Sequence, residues 1–187
     1  MLKRSFDIVF SVIALIILGL PLVLLGFAIR LTSEGPAIYW SERVGKDNRI
    51  FRMPKFRTMG VGAPVVATHL MPDPDTYLTP LGKFLRKTSL DELPQLWSVL
   101  RGDMSVVGPR PALFNQYDLI SIRSQAGVEQ LLPGLTGWAQ INGRDELPIS
   151  EKVTFDVEYM RRRSFLFDLK IIILTVLRVL HRRGVSH

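Results

Sequence analysis

Two neighbouring carboxylates, Asp91 and Glu92, lie inside the string SLDELPQL at 89–96. The core of that string, DELP, returns at 145–148 with Asp145 and Glu146. Adjacent carboxylates suit a definite chemistry: one attacks phosphorus as a nucleophile while the other holds a divalent cation. They can equally decorate the first turn of a helix, where negative charge meets free N–H groups. Ser89 and Glu92 have the S-x-x-E spacing of a capping box. Pro94 fits poorly in a helix capped at Ser89 and better in one that begins near Asp91. Consecutive side chains on a helix point about 100° apart. One carboxylate could therefore face a reacting phosphorus and the other a metal beside it.

The surroundings favour the first copy. Arg86 and Lys87 lie just upstream, and Arg110 follows between Pro109 and Pro111. Guanidinium groups on constrained backbone make bidentate phosphate ligands. Cations this close are expected to keep both carboxylates ionised. In the second copy Arg144 precedes the pair and Pro148 leads into a helix. There Asp145 and Glu146 read as loop or cap residues, with Arg144 the functional member.

Other chemistries find little support. The 187 residues include no cysteine, so disulfides, thiolate nucleophiles and cysteine zinc sites are out. The three histidines, His69, His181 and His187, have no metal-ligand spacing. Hydrophobic residues make up 47% of the chain, yet the formal net charge is +7. Oily and basic together point to a membrane surface or a polyanion. A nucleic-acid binder is disfavoured by the lack of a recognised binding motif and by few exposed aromatic candidates in the basic stretches. A non-catalytic membrane scaffold, with both acidic pairs as caps, is the other competitor.

Residues 8–29 carry no charge. As a helix they would rise about 33 Å, roughly one hydrocarbon core. Both flanks are basic: Lys3 and Arg4 before, and Arg30, Arg43, Lys46, Arg49, Arg52, Lys55 and Arg57 after. Cytoplasmic flanks are the basic ones, and a single crossing cannot put both ends on one side. Pro21 has no N–H for the carbonyl of Ile17, so the helix should kink or break there. A re-entrant, broken helix and a kinked span both satisfy these facts.

The elements that would position the acidic pair are short. Residues 36–40 read as a strand, 45–48 as a turn and 50–53 as a returning strand. Residues 59–80 read as a long loop and 81–87 as a short basic helix. Residues 93–100 have helical spacing. Residues 106–111 and 133–137 read as turns, 111–132 as one or two helices, and 138–141 as a short strand. Helices follow over 151–163 and 165–181. The last is apolar with basic ends, fitting either a helix in the headgroup layer or a core helix with a basic tail.

Five strings occur in order: KFRTM at 55–59, RKTSLDELPQL at 86–96, RGDMS at 101–105 with VGPRP at 107–111, PGLTGWAQINGR at 133–144, and 165–175 containing DLK. Together they resemble the monotopic phosphoglycosyl transferases, the bacterial sugar transferase family, in its minimal catalytic form. The resemblance implies a helix-dominated α+β fold. Residues 1–33 would form a re-entrant membrane helix broken at Pro21, and 34–187 a catalytic domain with membrane-surface helices. It implies transfer of a sugar 1-phosphate from a UDP-sugar to polyprenol phosphate, with release of UMP, at the cytoplasmic face of a bacterial inner membrane. By that resemblance Asp91 is the nucleophile of a ping-pong reaction, and Glu92, with Asp91, holds Mg²⁺. Arg86, Arg110 and Arg144, with Lys55 and Arg57, would bind phosphate and nucleotide. Membrane lipid is an expected partner and nucleic acid is not. Homo-oligomerisation, the sugar and the role of the 60–80 loop stay open. Leu20 departs from the polar or basic residue common before the proline, and the loop at 60–75 lacks the acidic density expected of a lid.

Overall fold

A computed structural model describes residues 2–66, 71, 73–143 and 147–180. Helix α1 (Leu2–Thr32) leads into an antiparallel hairpin, β1 (Ile38–Val44) and β2 (Ile50–Phe56). Helix α2 (Gly82–Thr88), a 3-10 segment (Leu90–Gln95) and α3 (Leu96–Arg101) follow almost without pause. Strand β3 (Ser105–Val107) pairs in parallel with β4 (Gly134–Thr136), and α4 (Tyr117–Gln125) lies in the connection between them. Helices α5 (Trp138–Ile141), α6 (Ile149–Arg162) and α7 (Phe165–Leu180) complete the order. The fold is helix-dominated α+β, as its resemblance implied.

Several local expectations change. The hairpin exists but is longer than the strand signals showed, because Arg43 and Phe51 extend the ladder up to the turn. Residues 138–141 form a helical turn, not a strand. Gly137 in extended backbone opens it, and Ala139 and Ile141 turn into the core. The 59–80 stretch carries a 3-10 turn (Pro74–Tyr77) and a bridge from Met59 to Leu78. Pro21 lies inside α1, and helical backbone runs through it where a break was expected. An internal proline forfeits one hydrogen bond, and the rest of a long ladder can carry the element past it.

Both ends of α1 are fastened to the same body. At its start Lys3 binds Asp168 at 2.6 Å and the Val107 carbonyl at 3.1 Å. Arg4 donates to the carbonyls of Val99 and Leu100. Buried Asp7 accepts from Ser105 Oγ and from the Val106 N–H. Lys3 and Arg4, read from sequence as the basic flank before the apolar run, are thus held by contacts to the protein body. At the other end Ile29 is buried against Phe56 and Leu85, with Leu22 and Leu25 beside it. Between these anchors Val12, Ile13, Ile16, Ile17, Leu20 and Leu24 are exposed. Among the described residues, this is one helix long and apolar enough to cross a membrane.

The main core joins Met53, Val99, Met104, Val106, Val107, Tyr159, Phe167 and Ile171. Helix α7 contributes Phe167 and Ile171 to it while leaving Leu166, Ile173 and Val176 exposed. It therefore combines the two sequence readings: one face is core and the other is apolar surface. The β3–β4 crossing depends on glycine. A Cβ on Gly108 would lie 2.3 Å from the Leu132 carbonyl oxygen, and one on Gly134 would lie 2.1 Å from the Gly108 nitrogen. No side chain fits those distances, and the close approach is what fixes the backbone leading to Arg110.

Candidate active site

Asp91 and Glu92 come from the 3-10 segment that runs into α3, and both are buried. The capping box does not form. Ser89 adopts a left-handed conformation (φ 55°, ψ 19°) and makes no side-chain cap bond. It serves as the joint between α2 and the 3-10 segment, its carbonyl accepting from the Glu92 N–H at 3.2 Å. Pro94 lies inside this short segment, beyond its first turn, so its missing N–H leaves one bond of the segment unmade.

The two carboxylates have different company. Glu92 Oε1 accepts from Lys55 Nζ at 2.9 Å and from Arg110 Nη2 at 2.8 Å, while Arg110 Nη1 lies 3.4 Å from Oε2. Asp91 feels Lys55, Arg86 and Arg110 through charge rather than hydrogen bonds. Burial, reinforced by the Glu92 charge, pushes its carboxyl up to about 6 against that pull. The cations therefore do not hold Asp91 at an ordinary acidity, as the sequence suggested. Desolvation outweighs them, although at neutral pH the group is still mostly ionised. Lys55 is itself pushed below the usual lysine range, first by burial and then by Arg110 and Arg43, with Glu92 and Asp91 opposing.

These residues face one cavity of about 320 Å³, which Lys55, Arg57, Arg86, Asp91, Glu92 and Arg110 all line. Arg86 is held from the last turn of α2 by Thr58 Oγ1 at 3.2 Å and by the Met59 sulfur. Arg57 reaches the rim, donating to the Pro36 carbonyl at 2.8 Å. Of the predicted cations, the structure gathers Lys55, Arg57, Arg86 and Arg110. Arg144 lies outside the described residues, as do Asp145 and Glu146 of the second acidic pair.

Arg110 is positioned from behind. The Arg123 guanidinium donates to the Arg110 carbonyl at 2.8 Å and is itself gripped by buried Asp156 at 2.7 and 2.9 Å. On either side Gly134 N–H binds the Pro109 carbonyl and Arg43 binds the Pro111 carbonyl. The sequence analysis missed Tyr39, Ser41 and Arg43, which also line the cavity. The signal was present: alternate residues of a strand share a face, and Tyr39 stands opposite Lys55 in the hairpin. Knowing which face mattered required the hairpin's packing on the 3-10 segment.

Two anionic side chains and a ring of cations suit a phosphate ester or anhydride. The carboxylate pair also fits Mg²⁺, which accepts one or two carboxylates and completes its shell with phosphate oxygens and water. The mutual repulsion that helps raise Asp91 is what a divalent cation would relieve. Among the described residues no three His, Cys, Asp or Glu side chains converge into a fuller metal cage.

The helix-dominated α+β body thus gathers an acidic pair and four of the predicted cations around one cavity. The chain belongs to the bacterial sugar transferase family, which it matches over residues 1–182. It is 43% identical over 188 residues to the UDP-glucose:undecaprenyl-phosphate glucose-1-phosphate transferase of Escherichia coli, covering 95% of this chain and 40% of that protein. It is 38% identical over 201 residues to the undecaprenyl-phosphate galactose phosphotransferase of Salmonella typhimurium, covering 98% of this chain and 41% of that one. An uncharacterized sugar transferase of Bacillus subtilis is 40% identical over 185 residues, with 99% of this chain and 90% of that protein covered. The chain thus spans about two fifths of the length of the first two relatives.

Proposed function

We propose that this chain transfers a sugar 1-phosphate from a UDP-sugar to polyprenol phosphate, releasing UMP, through an aspartyl phosphosugar intermediate. The observation that carries this reading is the placement of Asp91 in a cationic pocket, where the described residues act on its carboxylate through charge and not through hydrogen bonds. The names of the relatives support the donor and acceptor classes.

In the first displacement an Asp91 oxygen bonds to the sugar-bearing phosphorus, and the bond from that phosphorus to the bridging oxygen breaks. UMP takes the electron pair and leaves as an anion. In the second, an oxygen of the lipid phosphate bonds to the same phosphorus and the Asp91 oxygen departs. No proton need move in either step, because nucleophile and leaving group are anions. Arg86 and Arg110 bind and orient the phosphates, where fixed cations stabilise charge without reorganising. Lys55 and Arg110 hold Glu92 in place. Mg²⁺, held by Glu92 and Asp91, would supply further charge neutralisation across the diphosphate.

The same reading places the chain monotopically at the cytoplasmic face of a bacterial inner membrane. Its support is the docking of both α1 ends on one body, which a single crossing with that body on one side would not allow. The experiment is UMP release from a panel of UDP-sugars with a polyprenol phosphate in bilayers. Wild type should release UMP with at least one donor, and Asp91→Asn with none. Persistent release by the variant would remove Asp91 from the chemistry.

A further inference from the structure

Glu92 and Arg110 face two cavities. One is the polar pocket described above. The other, of about 450 Å³, lies between α1, the 3-10 segment, β4 and α7. Its walls are mostly hydrocarbon, including Phe10, Ala14 and Leu18 of α1, Leu93 beside Glu92, and Ile172 and Val176 of α7. The volume is that of a small-molecule site. Glu92 and Arg110 line both spaces, so the same guanidinium can be reached from a wet side and from an oily one.

A matching ligand must carry one anionic head and an apolar tail. The head meets Arg110 at the shared wall, where Lys55 and Arg110 together counter the single Glu92 charge. The tail has a route outward. The α1 wall of the cavity belongs to the helix whose outer surface exposes Ile13, Ile16, Ile17 and Leu20, the surface a bilayer would cover. Burying hydrocarbon in such a space stabilises by about 25 cal/mol per Å², which gives a long chain its hold.

We propose that this second cavity takes the first isoprenoid units of the lipid phosphate acceptor. The acceptor phosphate then passes Arg110 and reaches the phosphorus on the side UMP has vacated, in line with the departing Asp91 oxygen. The inference rests on the donor and acceptor classes proposed above. Donor and acceptor thereby use separate doors to one phosphorus, water for the first and bilayer for the second.

The test uses the full chain in bilayer nanodiscs and a long-chain prenyl phosphate carrying a diazirine near its phosphate end. Labelling should map to Phe10, Ala14, Leu93 or Val176, and unlabelled prenyl phosphate should displace it while phosphatidylglycerol does not. Labelling confined to the outer face of α1, or equal displacement by phosphatidylglycerol, overturns the proposal. As a second arm, Ala14→Trp and Val176→Trp are made separately to fill the cavity. Each should raise the acceptor KM roughly 10-fold or more while the donor KM stays put, since only acceptor binding is lost. A single-isoprene-unit phosphate should not distinguish the variants from wild type. Unchanged acceptor KM in folded variants overturns the proposal, and if neither variant folds the labelling pattern decides. Failure of wild type to release UMP at all would instead strike the proposed function.

Discussion

Asp91 and Asp156 are both buried aspartates whose carboxyls burial pushes upward. Their neighbours separate them. Asp156 receives two hydrogen bonds from Arg123 and is closed off behind the Arg110 backbone. Asp91 is surrounded by three cations that reach it only through charge, and it faces an open pocket. A carboxylate whose partners are satisfied holds structure together. One that feels its neighbouring cations through charge alone is open to bond to something that arrives. Desolvation is common to both, and the hydrogen bonds make the difference.

The sharpest way to break this comparison is to replace each with asparagine. Asp91→Asn should lower UMP release by roughly three orders of magnitude or more, because the nucleophile is gone. Its stability should move the other way. In the fold Asp91 titrates near 6, against an ordinary value of 3.8. The folded state keeps the proton longer, so ionisation penalises folding fully above about 6 and not at all below 3.8. At pH 7 the variant should gain on the order of 2 kcal/mol, and the gain should fade as pH falls toward 4. Thermal melts across that range check it.

Asp156→Asn should do the reverse. It leaves the Arg123 guanidinium buried without its counter-charge, at a cost of about 3 kcal/mol, visible in denaturant unfolding. UMP release per folded molecule should fall far less than in Asp91→Asn. Arg110→Lys removes a fork that grips Glu92 through two nitrogens, and a lysine cannot reproduce that geometry. A loss of roughly 10-fold in kcat/KM for the donor is expected, about 1.4 kcal/mol of transition-state binding. Donor turnover in wild type should also rise with pH through about 6 as Asp91 loses its proton. A flat profile from pH 5 to 8 would separate the reaction from that carboxyl. The smallest effect is expected at Ser89, whose positive φ costs a non-glycine residue about 1 kcal/mol. Ser89→Gly should leave stability unchanged or slightly raised, because the side chain makes no cap bond there.

Much of the site could be read from the chain because its parts are local. Asp91, Glu92 and Arg86 lie within seven positions of one another, and Pro109 and Pro111 announce the rigid perch of Arg110. The hairpin was readable from its turn residues at 45–48. What escaped depends on distant contacts. Ser89 and Glu92 have capping-box spacing, yet the close succession of α2 and the 3-10 segment puts Ser89 in a left-handed joint instead. Trp138 has the β-propensity of a strand residue, but its indole donates to Glu158 and its ring packs on Phe167, which suits a helical turn. The parallel β3–β4 pair was hidden because each strand is three residues long and looks like a turn by itself. Arg43 and Tyr39 acquire meaning only when the hairpin lies against Asp91.

The most direct test is intact-protein mass spectrometry after mixing the chain with its UDP-sugar and Mg²⁺, without lipid acceptor. The expected result is one added sugar phosphate per chain, mapped by peptide analysis to Asp91 and discharged on adding polyprenol phosphate. Rapid sugar-phosphate transfer to lipid by a protein that never carries the added mass would contradict it.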